Sequence, residues 1–212
     1  MEPDGAASGS HTRHGYGRGG GNVAFPVTVS FAAMTFAPQF FVRDATGALI
    51  GYGTRNALFP DRTLVVYSDN SMSTPIYVFK IVSVSDFVYS FHDASGDTLG
   101  GISLAREERK FLVRIDGDVR YEFVDETPWL ENIDALIPVI PVLNAIVGLV
   151  VAPSWLASKR GGGGGVLRIT KRRTMMESMY RIDLLGEIDD RGRECILLAS
   201  LIMIFRERLT LA

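Results

Sequence analysis

The segment that most restricts the fold closes the chain: "ECILLASLIMIFRERLTLA", residues 194–212. From 195 to 205 it is apolar except for Ser200. As a helix it has no side to turn to water. At ~1.5 Å rise per residue its apolar part is roughly 16 Å long, far short of the ~30 Å hydrocarbon core of a bilayer. A rod that is greasy all round and too short to span must be enclosed by protein. A chain of 212 residues, 47% of them hydrophobic, fits one domain with a core large enough to do this.

The rest of the chain supplies the wall. "FFVRDATGALIGYG" (40–53) and "YSFHDASGDTLGGISL" (89–104) are one phrase written twice, a β-rich run, a turn and a second run. Asp44 with Gly47, and Asp93 with Gly96, carry the turn chemistry: Asp bonds the backbone that follows it, and Gly accepts positive φ. "FLVRIDGDVRYEFVDE" (111–126) is a third hairpin with Asp116-Gly117 at its tip, and 63–84 reads as another strand pair. About eight strands precede Glu126, the first within or after residues 23–37, and two more follow the glycine run, at 166–173 and 179–187. Consecutive hairpins predict an antiparallel meander. Asp189 and Asp190 suit the start of the final helix, Arg206 and Arg208 its end. Open strand edges and an all-apolar helix are both satisfied by one solution. The expected fold is mainly β, a closed antiparallel barrel of about 10–12 strands around a central hydrophobic C-terminal α-helix.

These residues resemble the tubby-like superfamily, which includes phospholipid scramblases, plant LURP-one-related proteins and bacterial members. The resemblance rests on F-x-V-x-D-x-x-G as it stands in "FFVRDATG", on "LVVYSDNSMSTPIYVFKI" leading into "DFVYSFHDASGDTLGGI", and on "DRGRECILLASLIMIFRER". It covers roughly 38–125 and 166–208, in order. It implies a twelve-stranded barrel around a C-terminal helix, and behaviour linked to membranes. The basic pocket with which animal tubby proteins hold phosphoinositide head groups has no residue-by-residue counterpart here. "GEIDDRGRE" (186–194) is faintly similar to the acidic calcium segment of scramblases, but Glu187, Asp189, Asp190 and Glu194 are read as turn and cap residues.

Residues 1–22 are Gly, Ser and charge, with almost nothing to bury, and are read as a disordered tail; the barrel domain takes 23–212. Within it, 129–165 is an apolar insertion. Between 135 and 155 its polar residues are only Asn144 and Ser154, a length that passes the ~18 residues of a membrane helix. Strands on both sides of it must join one sheet, so both its ends lie on one side of any bilayer. Pro138, Pro141, Asn144 and Gly148 favour a bent hairpin or interfacial helix over a straight span.

Trp129 and Trp155 bracket this run as interface anchors do, with Leu136, Ile140, Leu143 and Val147 as its apolar contacts. A basic collar follows: Lys159, Arg160, Arg168, Lys171, Arg172 and Arg173, with no acid between Asp134 and Glu177. An apolar wedge beside a basic collar is a two-part anchor for an anionic phospholipid surface. The same run could instead cover the barrel mouth or bury itself against a second copy, making a homo-oligomer or interaction scaffold. Residues 161–165, all glycine, read as a flexible tether; no Lys-Ser/Thr pair follows them as in a phosphate loop.

Nothing in the sequence assembles a catalytic set, and no cofactor or metal is expected. His92 belongs to a hairpin turn, and His11 and His14 to the tail. Cys195, the single cysteine, sits in the apolar helix beside Glu194, whose charge is wrong for a thiolate. Asp116 and Asp118 form a lone pair on a tight turn. With 22 basic against 24 acidic residues there is no bias toward nucleic acid. The expected function is non-enzymatic lipid- or membrane-surface binding by a cytoplasmic protein at the membrane periphery.

Overall fold

The computed structural model describes residues 23–32, 39–54, 63–127, 154–173 and 178–210. Twelve strands among them form a closed barrel: β1 (Val27–Ala32), β2 (Gln39–Arg43), β3 (Leu49–Thr54), β4 (Thr63–Tyr67), β5 (Pro75–Ser83), β6 (Val88–Asp93), β7 (Thr98–Ala105), β8 (Lys110–Ile115), β9 (Asp118–Asp125), β10 (Ser154–Lys159), β11 (Gly165–Arg173) and β12 (Ser178–Leu184). Every strand pairs antiparallel with its neighbours in sequence, and β1 pairs with β12 to close the ring. The helix α1 (Asp190–Thr210) follows β12.

Period-2 alternation turns one set of side chains inward around the whole wall. Val29 stands opposite both Tyr180 and Val42, Phe79 opposite Phe91, Ile102 opposite Val113, Phe123 opposite Ala157, and Ile169 opposite Ile182. All of these are buried and belong to one core cluster. The helix fills that cluster. From 195 to 205 every residue but Leu197 is buried, and Leu197 packs against the same core. Leu198, Ile202 and Phe205 are 1%, 3% and 5% exposed, so the enclosure expected from the sequence is the one observed. Ser200, the lone polar residue of the stretch, is also buried; its hydroxyl donates to Ile196 O at 2.7 Å.

Small residues on the wall make room for the helix. At Gly100 a Cβ would meet Arg114 O at 2.5 Å and Cys195 Sγ at 3.4 Å. At the helix start, the Asp189 carboxylate accepts the Gly192 N–H at 2.9 Å, and Asp189 O accepts the Arg193 N–H at 2.8 Å, so Asp189 is the N-cap. At the other end Phe205 stacks against Phe31 (6.0 Å) and Phe40 (4.6 Å), each ring pair contributing about 0.5–1.5 kcal/mol.

The two copies of the hairpin phrase share one geometry. The Asp44 carboxylate accepts the N–H groups of Thr46 and Ala48, that of Asp93 the N–H groups of Ser95 and Asp97, and Gly47 and Gly96 lie at φ 84° and 90°. Asp116 and Gly117 both adopt positive φ, as a two-residue hairpin turn requires.

Two expectations are corrected. Nine strands instead of about eight precede Glu126, since β1 (Val27–Ala32) adds to the four hairpins, and three follow it, because Ser154–Lys159 is strand β10 and not part of the insertion. Residues 160–164 are consequently a hairpin connection from β10 to β11, with Gly161, Gly162 and Gly163 at positive φ and Gly165 already in β11, in place of a tether.

Gly192 sits where a Cβ would lie 2.3 Å from Tyr121 Oη and 2.4 Å from the capping Asp189 oxygen. Gly192→Ala should therefore destabilise the fold by about 1–3 kcal/mol, although Ala favours helix by ~1 kcal/mol. Urea denaturation reads the sign directly; a stabilised variant would mean the cap and Tyr121 do not crowd this position.

Candidate functional site

In an up-and-down barrel the connections alternate between two ends. One end carries the tight turns of 44–48, 94–97, 116–117 and 160–164 and the start of α1. The other receives the end of α1, the turns at 84–87 and 106–109, and the strand ends flanking residues 128–153. That second end is the candidate site.

The two strand ends that lead into and out of 128–153 are neighbours. Trp155 stands opposite Asp125, and the Glu126 N–H donates to Ser154 O at 2.9 Å. Glu126 secures the junction: its carboxylate accepts Arg168 Nε and Nη2, both at 2.9 Å, and Ser154 Oγ–H at 3.0 Å. A forked guanidinium–carboxylate pair of this kind fixes geometry as well as charge. Trp129, Leu136, Ile140, Leu143 and Val147 lie outside the described residues.

The basic residues of the expected collar do not form one surface. Arg172 is exposed at the end of β11, beyond the level of Ser154, and Arg173 is the last residue of the same strand. Lys159 and Arg160, also exposed, lie at the opposite end of β10, five residues and ~17 Å of strand from Ser154. They belong to the tight-turn end. Arg168 is committed to Glu126. Lys171 is corrected outright: it shares the inward parity of Ile169, is 5% exposed, bonds Glu207 of α1, and sits 5.7 Å from the centre of the Tyr180 ring. A lysine inside the wall cannot belong to an outer collar. Trp155 likewise turns inward, half-buried against the core at the mouth.

Residues to which the sequence assigned no site role complete this end. A cleft of about 500 Å³ opens there, with Leu104, Phe111 and Met203 beside Trp155, and Arg106 and Arg206 among its charged groups. Arg206 stacks over the rings of Phe87 (4.7 Å) and Phe111 (5.1 Å), and its burial lowers its pKa. Only a local cue hinted at this: "AREERK" (105–110), a charged tip between Leu104 and Phe111.

Cys195, His92 and the acids before α1 have structural partners. Burial pushes the Cys195 thiol up to about 12, and its S–H donates to Leu99 O at 3.2 Å. His92 bonds the Ser90 hydroxyl at 3.0 Å and Gly96 O at 3.3 Å. Of the acids before α1, Asp189 is the cap, Asp190 faces Arg193 at 3.6 Å, and Glu194 accepts the Tyr77 O–H at 2.9 Å. Among the described residues no three His, Cys, Asp or Glu side chains are grouped to hold a metal ion. No helix among them is long and apolar enough to cross a membrane.

No family model and no curated protein matches the sequence. Among solved structures, the chain is similar to the X-ray structure of the Arabidopsis thaliana protein AT5G01750. The likeness has a TM-score of 0.50 at 14% identity and covers 89% of this chain and 94% of that one. At that identity the likeness speaks for the fold: a closed β-barrel with a central helix.

Two outcomes follow from the buried groups. Lys171→Met should destabilise the protein by about 3 kcal/mol by removing one member of a buried ion pair, and Glu207→Gln added to it should recover part of that loss in urea denaturation. Equal stability of the single variant and the parent would refute the inward pairing. Native Cys195 should resist iodoacetamide at pH 8 and react once the chain is unfolded. Because its folded pKa lies above the unfolded value, the thiol's linked stability is complete below about 9 and declines as pH rises beyond it.

Proposed function

We propose that this protein is a non-enzymatic barrel that binds the surface of anionic phospholipid membranes, with the mouth at the end of α1 facing the lipid. The observation that carries the reading is the junction of β9 and β10. Their hydrogen-bonded ends mean that the apolar stretch 128–153 departs from and returns to one point on one mouth. A stretch so tethered fits a shallow insertion from one side and not a single crossing. Exposed Arg172 in β11 supports an electrostatic contribution at the same end, about 1 kcal/mol for a basic residue near an anionic leaflet.

Assignment to the tubby-like superfamily, in the company of scramblases and LURP-one-related proteins, is part of this proposal. The hairpin phrases, the enclosed terminal helix and the fold likeness support it. A cytoplasmic, membrane-peripheral location goes with the same reading.

Flotation with liposomes, with and without anionic lipid, tests it. The intact chain should float with anionic vesicles, and deletion of 130–152, which spares β10, should abolish flotation while the barrel stays folded. Arg172→Ser should weaken binding about fivefold at low salt, leaving Lys171 in place to preserve the core. Unchanged lipid recovery after the deletion, together with loss of a dimer, would overturn the reading in favour of an oligomerising surface.

A further inference from the structure

One joint of the barrel differs from the other eleven. Each of those runs over at least five residue pairs, whereas among the described residues β3 and β4 are paired only at Tyr52 and Tyr67. β3 also has little hold on the interior. Its positions opposite Phe40 and Val42 are Gly53 and Gly51, and the Phe40 ring occupies the space that a Cβ at Gly53 would need. Of the β3 side chains only Ile50 packs against the core cluster, and it is partly buried. Tyr52 stacks on Phe41 at 5.3 Å, outside that cluster. Glycine inside a strand has no side chain to pack and loses more conformational freedom on ordering than any other residue.

The space behind the same joint is incompletely filled. A cavity of about 30 Å³ lies between Ile50, Gly51 and Val66 of the wall and Leu197, Leu198 and Leu201 of α1. Leu197 is the one residue of 195–205 that the wall does not bury. Sparse pairing, missing side chains and a void thus fall on one line, and these mark an element that opens at a lower free energy than global unfolding. We infer that the barrel opens laterally along β3 and β4. β3 moves with β2, to which five residue pairs bind it, and β4 stays with β5, its Leu64 and Val66 buried in the core. The β1–β12 joint stays closed and α1 stays seated, so the opening uncovers the helix at Leu197 by a route that passes neither mouth. The motion requires no membrane and is independent of the function proposed above.

Native-state hydrogen exchange of the unaltered chain, at several urea concentrations below its unfolding transition, tests this. The amides that bond across the joint, within 51–53 and 66–68, should exchange through a local opening with little urea dependence. Bonded amides of β11 and β12, which share seven residue pairs, should exchange only through global unfolding, with its full urea dependence. One strongly urea-dependent opening common to both joints would overturn the inference. A cross-link locates the opening. Tyr52 and Tyr67 stand directly opposite each other, a Cα separation of ~4.5–5.5 Å that a disulfide can span. In Tyr52→Cys with Tyr67→Cys, oxidation should slow exchange at the joint about tenfold or more relative to the reduced form of the same chain; Cys195 is buried and does not compete. Exchange unchanged by oxidation would also overturn the inference. If the double variant does not fold, the urea series on the unaltered chain decides.

Discussion

Eleven residues of helix with apolar groups on every face, 195–205, can be kept from water only by a wall on every side, and the remaining architecture answers to that requirement. Because the wall is a sheet, its own edges need partners, and pairing β1 with β12 meets that need in the step that completes the enclosure. Where the helix passes β7 the wall carries a glycine, Gly100, at the position beside Cys195. Where the helix leaves room, aromatic rings fill it, with Phe205 between Phe31 and Phe40. The polar groups drawn into this interior arrive with partners. Ser200 bonds its own helix, Cys195 the backbone of β7, and Lys171 the helix carboxylate of Glu207.

Closure also divides the molecule into two unlike ends. At one, Asp and Gly turns satisfy their own backbone within four or five residues, which leaves them little need of tertiary support. At the other, order comes from long-range bonds such as Arg168 to Glu126 and the stacking of Arg206 on Phe87 and Phe111. The second end therefore combines a mouth, a cleft and the strand ends of a long apolar stretch, and it is the end on which the functional proposal rests.

The features legible in the sequence are those with local chemistry. The hairpins announced themselves through Asp44, Asp93 and Asp116 with their glycines, and the helix through its lack of any polar face. Strand β10 did not, since "SWLASK" continues the apolar insertion without a break in composition. Lys171 misled for a related reason. Composition placed it with Arg172 and Arg173, while the period of two placed it with Leu167 and Ile169, and the period decides which way a side chain faces. The separation of Lys159 and Arg160 from Arg172 depends on where β10 and β11 end, which spacing along the chain does not reveal. The cleft joins residues from β7, β8, β10 and α1, so no window of sequence contains it.

Native-state hydrogen exchange of the α1 amides, resolved residue by residue, tests enclosure most directly. If the wall surrounds the helix, amides from 196 to 204 exchange only when the whole barrel opens, with the same free energy as core strand amides such as Val29 and Ile182. Exchange of those helix amides through a lower-energy opening, while the strands stay protected, would contradict it: the helix would then be a detachable element and not the centre of the fold.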